Sequence, residues 1–512
     1  MSLARRSTTT AISAATAFAL LTGLTTVPSA HAAPVSTVDD VFLGVGSDET
    51  EALLNWTTYG VATEYVEFAP ASAAAGEQFP ADTAKRVTAE RGSLTIEDFR
   101  YSMSAELTGL AENSEYVYRI GSDERGWSET HTLTTGDYGD TWEFRVFGDP
   151  QIGASGDRAK DGVGWRAATA AAAEHPGTSM FVSVGDQVND VFDGAKQQKE
   201  YEEFFNNEEI SRYRTAVNRG NHDAPSKAYG EMFDLPNTNA SGLEPYNYYF
   251  ERNNTLFVAL DTNAVSLEGQ KQFLRDTVAA HGKGNDWIVV TYHHSTYSQA
   301  FHQADAVVQD YRKNMVDVIS ELGVDVVLSG HDHIHTRSHL MNGNTPVDAD
   351  KPTGPGDVLH PKEGEVLYLT ANTSSGSKTY SFATFDNPGY TNYSDITTME
   401  QSDDRKLTAP STAYWIQDRT PDYTQVEVTP DTMTLTTYNV AGGSQVDKVT
   451  LNNSPGTDPG TDPGTDPDTG SALSSRGGLG AVLALVAALG IGAVVALFGP
   501  RIADQLGIKL PF

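Results

Sequence analysis

The chain has 512 residues, 39% of them hydrophobic and 9% aromatic, which suits two or three folded domains and excludes a disordered polymer. Its 68 Asp and Glu against 35 Lys and Arg leave a formal net charge of -33, and no nucleic-acid partner is expected, because phosphate backbones are held by clustered Lys and Arg. There is no cysteine, so disulfides, thiolate nucleophiles and Cys-ligated zinc are excluded, and any metal must be held by His, Asp, Glu, Asn, Gln, Tyr or backbone oxygen.

Residues 1–32 have the three parts of a signal peptide. Arg5 and Arg6 precede a mostly apolar, small-residue stretch from Ala11 to Leu24, and Ala30-x-Ala32 offers a cleavage site. In residues 33–140 the short alternating runs EALLNWTTY, EYVEFA, EYVYRIG and THTLTT predict strands without a long helix. About seven such strands in roughly 100 residues predict an all-β sandwich. From residue 141 to 452 strand-like runs (EFRVFGD, SMFVSVGD, TLFVALDT, DWIVVTYHH, VDVVLSGHDH) alternate with helix-like ones (GVGWRAATAAAAEH, AKQQKEYEEFFN, EGQKQFLRDTVAAHG, YRKNMVDVISELG). That alternation predicts an α/β layer, and YTQVEVTPDTMTLTTYNV with SQVDKVTLNN predicts strands returning to it.

Residues 453–476 form a linker around the tandem repeat PGTDPGTDPGTDPDTG, whose Pro and Asp content favours an extended spacer. Residues 477–498 carry no charge. As a helix they would be about 33 Å long, enough to cross a hydrocarbon core. Arg501 and Lys509 lie beyond, in a tail of residues 499–512 expected on the cytoplasmic side. The expectation is an exported body on the extracytoplasmic face of the membrane, tethered by one C-terminal transmembrane helix.

The chemistry gathers where apolar runs end: Gly148-Asp149, Gly185-Asp186, Gly220-Asn221-His222-Asp223, His293-His294 and Gly330-His331-Asp332-His333. Polar residues at strand C-terminal ends are where α/β proteins build sites, and each Gly lets the backbone turn sharply and keeps a metal's approach open. A single Gly-Asp is an ordinary turn. Five such ends in order supply two carboxylates, one Asn and three His, an N/O donor set suited to a pair of borderline or hard divalent or trivalent metals.

The ordered segments GD (Asp149), GD (Asp186), GNHD (Asn221), V-x-x-H (Val290 to His293) and GHxH (His331, His333) resemble the calcineurin-like metallophosphoesterase superfamily, and within it the purple acid phosphatases. LTGLAENSEYVYRIGSDERGWSETHTLTT resembles their N-terminal fibronectin-III-like domain. The resemblance implies such a sandwich followed by a catalytic domain of two mixed β-sheets packed together and flanked by helices, with the sandwich shaping the pocket rim. It implies that Asp186 bridges two metals, that Asp149 and His333 complete metal one, and that Asn221, His293 and His331 complete metal two. His222 would stand beside the substrate phosphate as general acid or hydrogen-bond donor, oriented by Asp223. His302, nine residues after His293, matches a substrate-side histidine of the plant enzymes. The reaction implied is hydrolysis of phosphate monoesters by attack of a metal-bound hydroxide, with an imidazole protonating the leaving oxygen. Small phosphorylated substrates and two metal ions follow, either divalent ions or Fe with a divalent partner, Fe, Zn and Mn being the candidates. The oligomeric state is left open.

Two positions depart from the family pattern. Asn189 stands where purple enzymes have a tyrosine ligand, three residues after the bridging Asp, so no charge-transfer colour is expected. Gln151 stands where many other relatives have a metal-binding His, and its amide could ligate metal one, hold a metal-bound water or merely close the turn. His294, His335 and Arg219 also lie near the motifs and read as solvated or hydrogen-bonded loop residues. Other readings use the same ligands for a phosphodiesterase or nucleotide pyrophosphatase, or treat the chain as a non-catalytic surface binding protein, which would predict missing ligands.

Overall fold

The computed structural model describes residues 38–454, apart from 61, 77, 96–98, 239–244, 265 and 387–388. The signal-peptide segment and the apolar run 477–498 lie outside the described residues. Among those described, no helix is long and apolar enough to cross a membrane.

Nine strands, from Asp39–Val45 to His131–Thr134, occupy the first hundred described residues. They form two antiparallel arrays around one core. Leu54, Trp56, Met103 and Leu107 come from one array, and Val66, Phe68, Tyr118 and Ile120 from the other. The period of two explains this: in Tyr101–Leu107, Met103, Ala105 and Leu107 point inward while Ser102, Ser104 and Glu106 do not.

The next layer begins with Trp142–Phe147, Thr178–Ser183 and Thr215–Val217, which pair in parallel. Asp422–Val428 returns antiparallel beside Trp142–Phe147, with Val426 opposite Phe144, so the late strands rejoin the domain as their pattern predicted. Thr432–Asn439 and Gln445–Asn452 extend that side. A second sheet places Thr255–Ala259, Trp287–Thr291, Val326–Ser329 and Glu365–Thr370 in parallel, with His335–Asn342 antiparallel at one flank. Trp142, Phe144 and Val146 of the first sheet meet Phe257, Val289 and Leu328 of the second in one buried core. Each fully buried large side chain there contributes about 1.5–3 kcal/mol.

Helices cover the outer faces. Arg158–Ala173 and Gly194–Phe205 lie on the first sheet, where Trp165 stacks on Phe204 and meets Phe147 edge-on. Leu267–His281 and the pair Ala306–Asn314 and Val316–Glu321 cover the second. The segment YRKNMVDVISELG, expected as one helix, is divided at Met315, which caps one helix and opens the next.

The sandwich is joined to this layer by backbone. Asp39–Val45 pairs in parallel with Thr215–Val217 through Gly44 and Thr215, so one sheet runs through both parts. Arg214 and Arg252 both donate to the Thr135 carbonyl, at 2.7 and 2.9 Å, and clamp the chain where it leaves the sandwich.

Candidate metal centre

The ends of the parallel strands of both sheets converge. Asp149, Asp186 and Asn221 follow strands of the first sheet, and His293, His331 and His333 follow strands of the second. The glycines before them serve close approach more than the sharp turns expected from sequence. A Cβ on Gly330 would lie 2.4 Å from Asp149 Oδ2, one on Gly220 2.0 Å from Asp186 Oδ1, and one on Gly148 2.2 Å from the Asn372 carbonyl. Of the four motif glycines, only Gly185 has a left-handed φ (+106°). The left-handed conformations fall instead on the expected ligands, with φ of 51° at Asp186, 73° at His331, 40° at His333 and 36° at Gln151. Backbone of this kind costs about 1–3 kcal/mol per residue and persists where surrounding structure over-determines it.

The six expected donors come together and are buried. His293 Nδ1 donates to the Val184 carbonyl (3.0 Å), which leaves Nε2 facing Asn221 Oδ1 at 3.0 Å, His331 Nδ1 at 3.1 Å and Asp186 Oδ1 at 3.3 Å. Such crowding of nitrogen and carboxylate or amide oxygen atoms calls for a shared cation, a proton on the imidazole or a metal in its place. Burial disfavours charge on His293, but Asp186 and Asp149 outweigh it and raise the imidazole to about 9. Burial pushes Asp186 upward, yet His293 and His222 prevail and hold its carboxyl below the ordinary range. Burial pushes Asp149 well above that range. His333 Nε2 stands 3.6 Å from Asp149 Oδ1, and its Nδ1 is taken by the Lys378 carbonyl at 2.8 Å.

These residues fit a pair of cations. Asp149 Oδ1 and Gln151 Oε1 are buried without a hydrogen-bond partner among the described residues, as cation-ready oxygens would be. Asp186, His293 and His331 offer donor atoms close enough for one ion, with Asn221 beside them. Asp149, His333 and Gln151 would face the other.

The remaining expected residues separate in role. His222 lines the cleft. Its Nδ1 is held by the Asn189 carbonyl and its Nε2 lies 4.0 Å from Asp186 Oδ2, so Nε2 faces the site. Asn189 also lines the cleft, and its backbone is what positions His222. Asp223 does not orient His222 as expected. Its oxygens accept from Tyr201 Oη (2.8 Å), the Gly220 amide (2.8 Å) and the Gln187 amide (3.4 Å), so it pins the backbone under the site. His302 lines the cleft with its ring 3.9 Å from that of His331, its Nδ1 on Asp305 (2.7 Å) and its Nε2 near Tyr380 Oη (3.3 Å). Gln151 does not close its turn with its side chain. The turn is closed by its backbone carbonyl, which accepts from the Ala154 amide at 3.0 Å, while its own amide donates to the Asp186 carbonyl at 2.8 Å and ties two strand ends together. Its side-chain amide is left facing the cleft. His294 bonds Thr262 Oγ1 (2.7 Å), His335, buried on a strand rather than in a loop, bonds Asp447 (3.2 Å), and Arg219 pairs with Asp261 (3.1 Å).

The cleft, of about 400 Å³, also holds residues that the sequence motifs do not mark: Asp305, Phe301, Phe192, Lys378 and Tyr380. Its lining begins at Gln151, so the sandwich does not shape the rim as expected. A sixth strand end, Glu365–Thr370 running into NTSSGSK, is likewise absent from the motif set, although it too is an apolar run that breaks into polar residues. Its hydroxyls strap the Gly148-Asp149-Pro150 turn. Thr373 Oγ1 donates to the Asp149 carbonyl (3.0 Å), Ser374 Oγ to that of Gly148 (2.6 Å) and Ser375 Oγ to that of Pro150.

Residues 38–135 match the purple acid phosphatase N-terminal domain family, and residues 144–335 match the calcineurin-like phosphoesterase family. No curated protein sequence matches the chain. Among solved structures, a purple acid phosphatase, PPD1, from yellow lupin (Lupinus luteus) seeds is similar at 15% identity and a TM-score of 0.57, covering 81% of this chain and 74% of its own. PhoD is similar at 12% identity and a TM-score of 0.53, covering 80% of this chain and 92% of its own. At such identities the structural likeness speaks for the fold, while the two family matches and the converging donors speak for the chemistry. The chain is a purple acid phosphatase-like member of the calcineurin-like phosphoesterases, a metal-dependent phosphoric ester hydrolase.

Proposed function

We propose that the chain hydrolyses phosphate monoesters at a two-metal centre held by Asp149, Asp186, Asn221, His293, His331 and His333, with Gln151 as a further oxygen donor to the Asp149 and His333 side. The observation that carries this reading is the convergence of Asn221, Asp186 and His331 ligand atoms on His293 Nε2, together with the buried, unpartnered oxygens of Asp149 and Gln151. Two bound cations would supply Lewis acidity toward a phosphoryl oxygen and lower the pKa of water.

The chain's own groups do the rest. His222, its Nδ1 fixed on the Asn189 carbonyl, presents Nε2 to the cleft, and as imidazolium, a form that burial opposes and the Asp186 charge favours, it is the proton donor for the leaving oxygen. His302, tied to Asp305, offers a second imidazole in the lining of the cleft. The buried floor limits water to the open side. Asn189 in place of a tyrosine ligand supports a colourless centre, with Zn, Mn or Fe paired with a divalent ion. The signal-peptide pattern and the apolar run 477–498 support export and a membrane tether on a linker, in keeping with scavenging of phosphate outside the cell.

The test is elemental analysis of the purified body together with a monoester and diester panel. About two metals per chain, no visible charge-transfer band and at least a roughly tenfold monoester preference are expected. A preference below about tenfold would favour the phosphodiesterase reading, and metal-free, inert protein would favour a binding role.

A further inference from the structure

We propose that Lys378 is a substrate-contacting cation that selects the dianionic phosphate of a monoester over the monoanionic phosphate of a diester. This rests on the phosphomonoesterase reading above and names a residue that the metal-ligand motifs do not contain.

Lys378 follows the Thr373–Ser377 strap and lines the cleft with Asp186, Asn221, His222 and His333. Its backbone is fixed, because its carbonyl accepts the Nδ1 proton of His333 at 2.8 Å. Its ammonium stands 4.6 Å from the centre of the Tyr380 ring. That ring lies 5.0 Å from His333 and 5.2 Å from His302, so the charge rests on an aromatic wall of the cleft that adjoins both. Among the described residues the ammonium has neither an ion pair nor a hydrogen bond. Lys196, Lys199, Lys271 and Lys351, by contrast, each pair with a carboxylate on an exposed helix or loop.

A half-buried ammonium with no direct ion pair loses hydration, and the cation–π contact together with the more distant charges of Asp186, Asp149 and Asp332 recovers only part of it. A phosphate in the cleft would complete it. A monoester carries up to two negative charges and three free oxygens on phosphorus. With the metals holding part of that charge, a free oxygen remains for Lys378. In a diester a second ester group takes one of those oxygens and one unit of charge, so the ammonium gains less.

The experiment compares wild type, Lys378→Met and Lys378→Arg, all loaded with metal. It measures kcat/KM for an aryl phosphate monoester and a bis-aryl diester, calorimetric binding of inorganic phosphate, metal content and thermal unfolding. Lys378→Met should lower both monoester kcat/KM and phosphate affinity by about 10- to 100-fold, the range of one charge-assisted hydrogen bond. The diester should lose roughly tenfold less, with metal content and unfolding unchanged, and Lys378→Arg should recover most of the phosphate affinity. Equal losses for both esters, unchanged phosphate binding, or loss of metal would overturn the assignment. A wild type that hydrolyses neither ester would sink the phosphomonoesterase reading itself, whereas an active wild type indifferent to Lys378→Met sinks only this inference.

Discussion

At the residue scale, Asp186 is the expected bridge of the proposed two-metal centre. One oxygen faces His293 and the other faces His222, while the His222 amide donates to the first at 2.9 Å. Asp186→Ala should therefore lose both metals and nearly all activity, measured by elemental analysis and turnover. Retained activity would refute the bridging role. His222→Ala should keep its metals but lose roughly 10²–10⁴ in turnover, the usual share of a general acid. Gln151 is the residue whose role the structure sharpens most, since its backbone closes the turn and its side chain is free for the cleft. Gln151→Leu should weaken the metal beside Asp149 by about 10- to 100-fold, read by competition with a chelator. An unchanged affinity would leave it only a packing role.

At the element scale, the site is a set of strand ends that approach too closely for side chains between them. The first of these, RVFGDPQ, shows the logic. Phe147 packs outward on Trp165 and Phe181, Gly148 passes against the Asn372 carbonyl, and the hydroxyls of the strap hold the next two carbonyls. Gly148→Ala should destabilise the fold by about 1–3 kcal/mol, because the obstructing atom is backbone and cannot swing aside. Denaturant unfolding measures this, and a neutral result would show that the strap can move. The motifs are legible in the sequence because each follows an apolar run. The strap is not, since serine and threonine hydroxyls carry no sign of the distant carbonyls they bind.

At the scale of the whole molecule, the donors come from two sheets that meet through an apolar core and through buried polar links such as Arg337 with Asp447 and Asn218 with the Thr291 carbonyl. Metals bound there tie the sheets together, so chelation should lower the unfolding temperature by roughly 5–10 °C, followed by calorimetry with and without added metal. Asp422, buried in the first sheet near this junction, has its carboxyl pushed up by burial, against the opposing pull of His335 and Asn372, to about 7. Its folded pKa exceeds its unfolded one, so the folded chain takes up a proton between these values. The stability from this group is complete near pH 4 and is lost as the pH rises through about 7. Asp422→Asn should thus gain roughly 2 kcal/mol at pH 8 and little at pH 4. A gain equal at both would show that ionisation is not its cause.

The order of the elements and the identity of the six main donors follow from the chain alone, because hydrophobic period and strand-end polarity are local properties. The same local signals carry the resemblance that the family matches bear out. Which groups face one another was settled by folding. It turned Asp223 to the Gly220 and Gln187 amides, gave His222 to the Asn189 carbonyl, ran one sheet from the sandwich into the catalytic layer and brought Lys378 to the cleft wall. Apart from the local Asp223–Gly220 bond, these pairings join residues far apart in the chain, and hydrogen bonds and charge act through space, where sequence spacing carries no information.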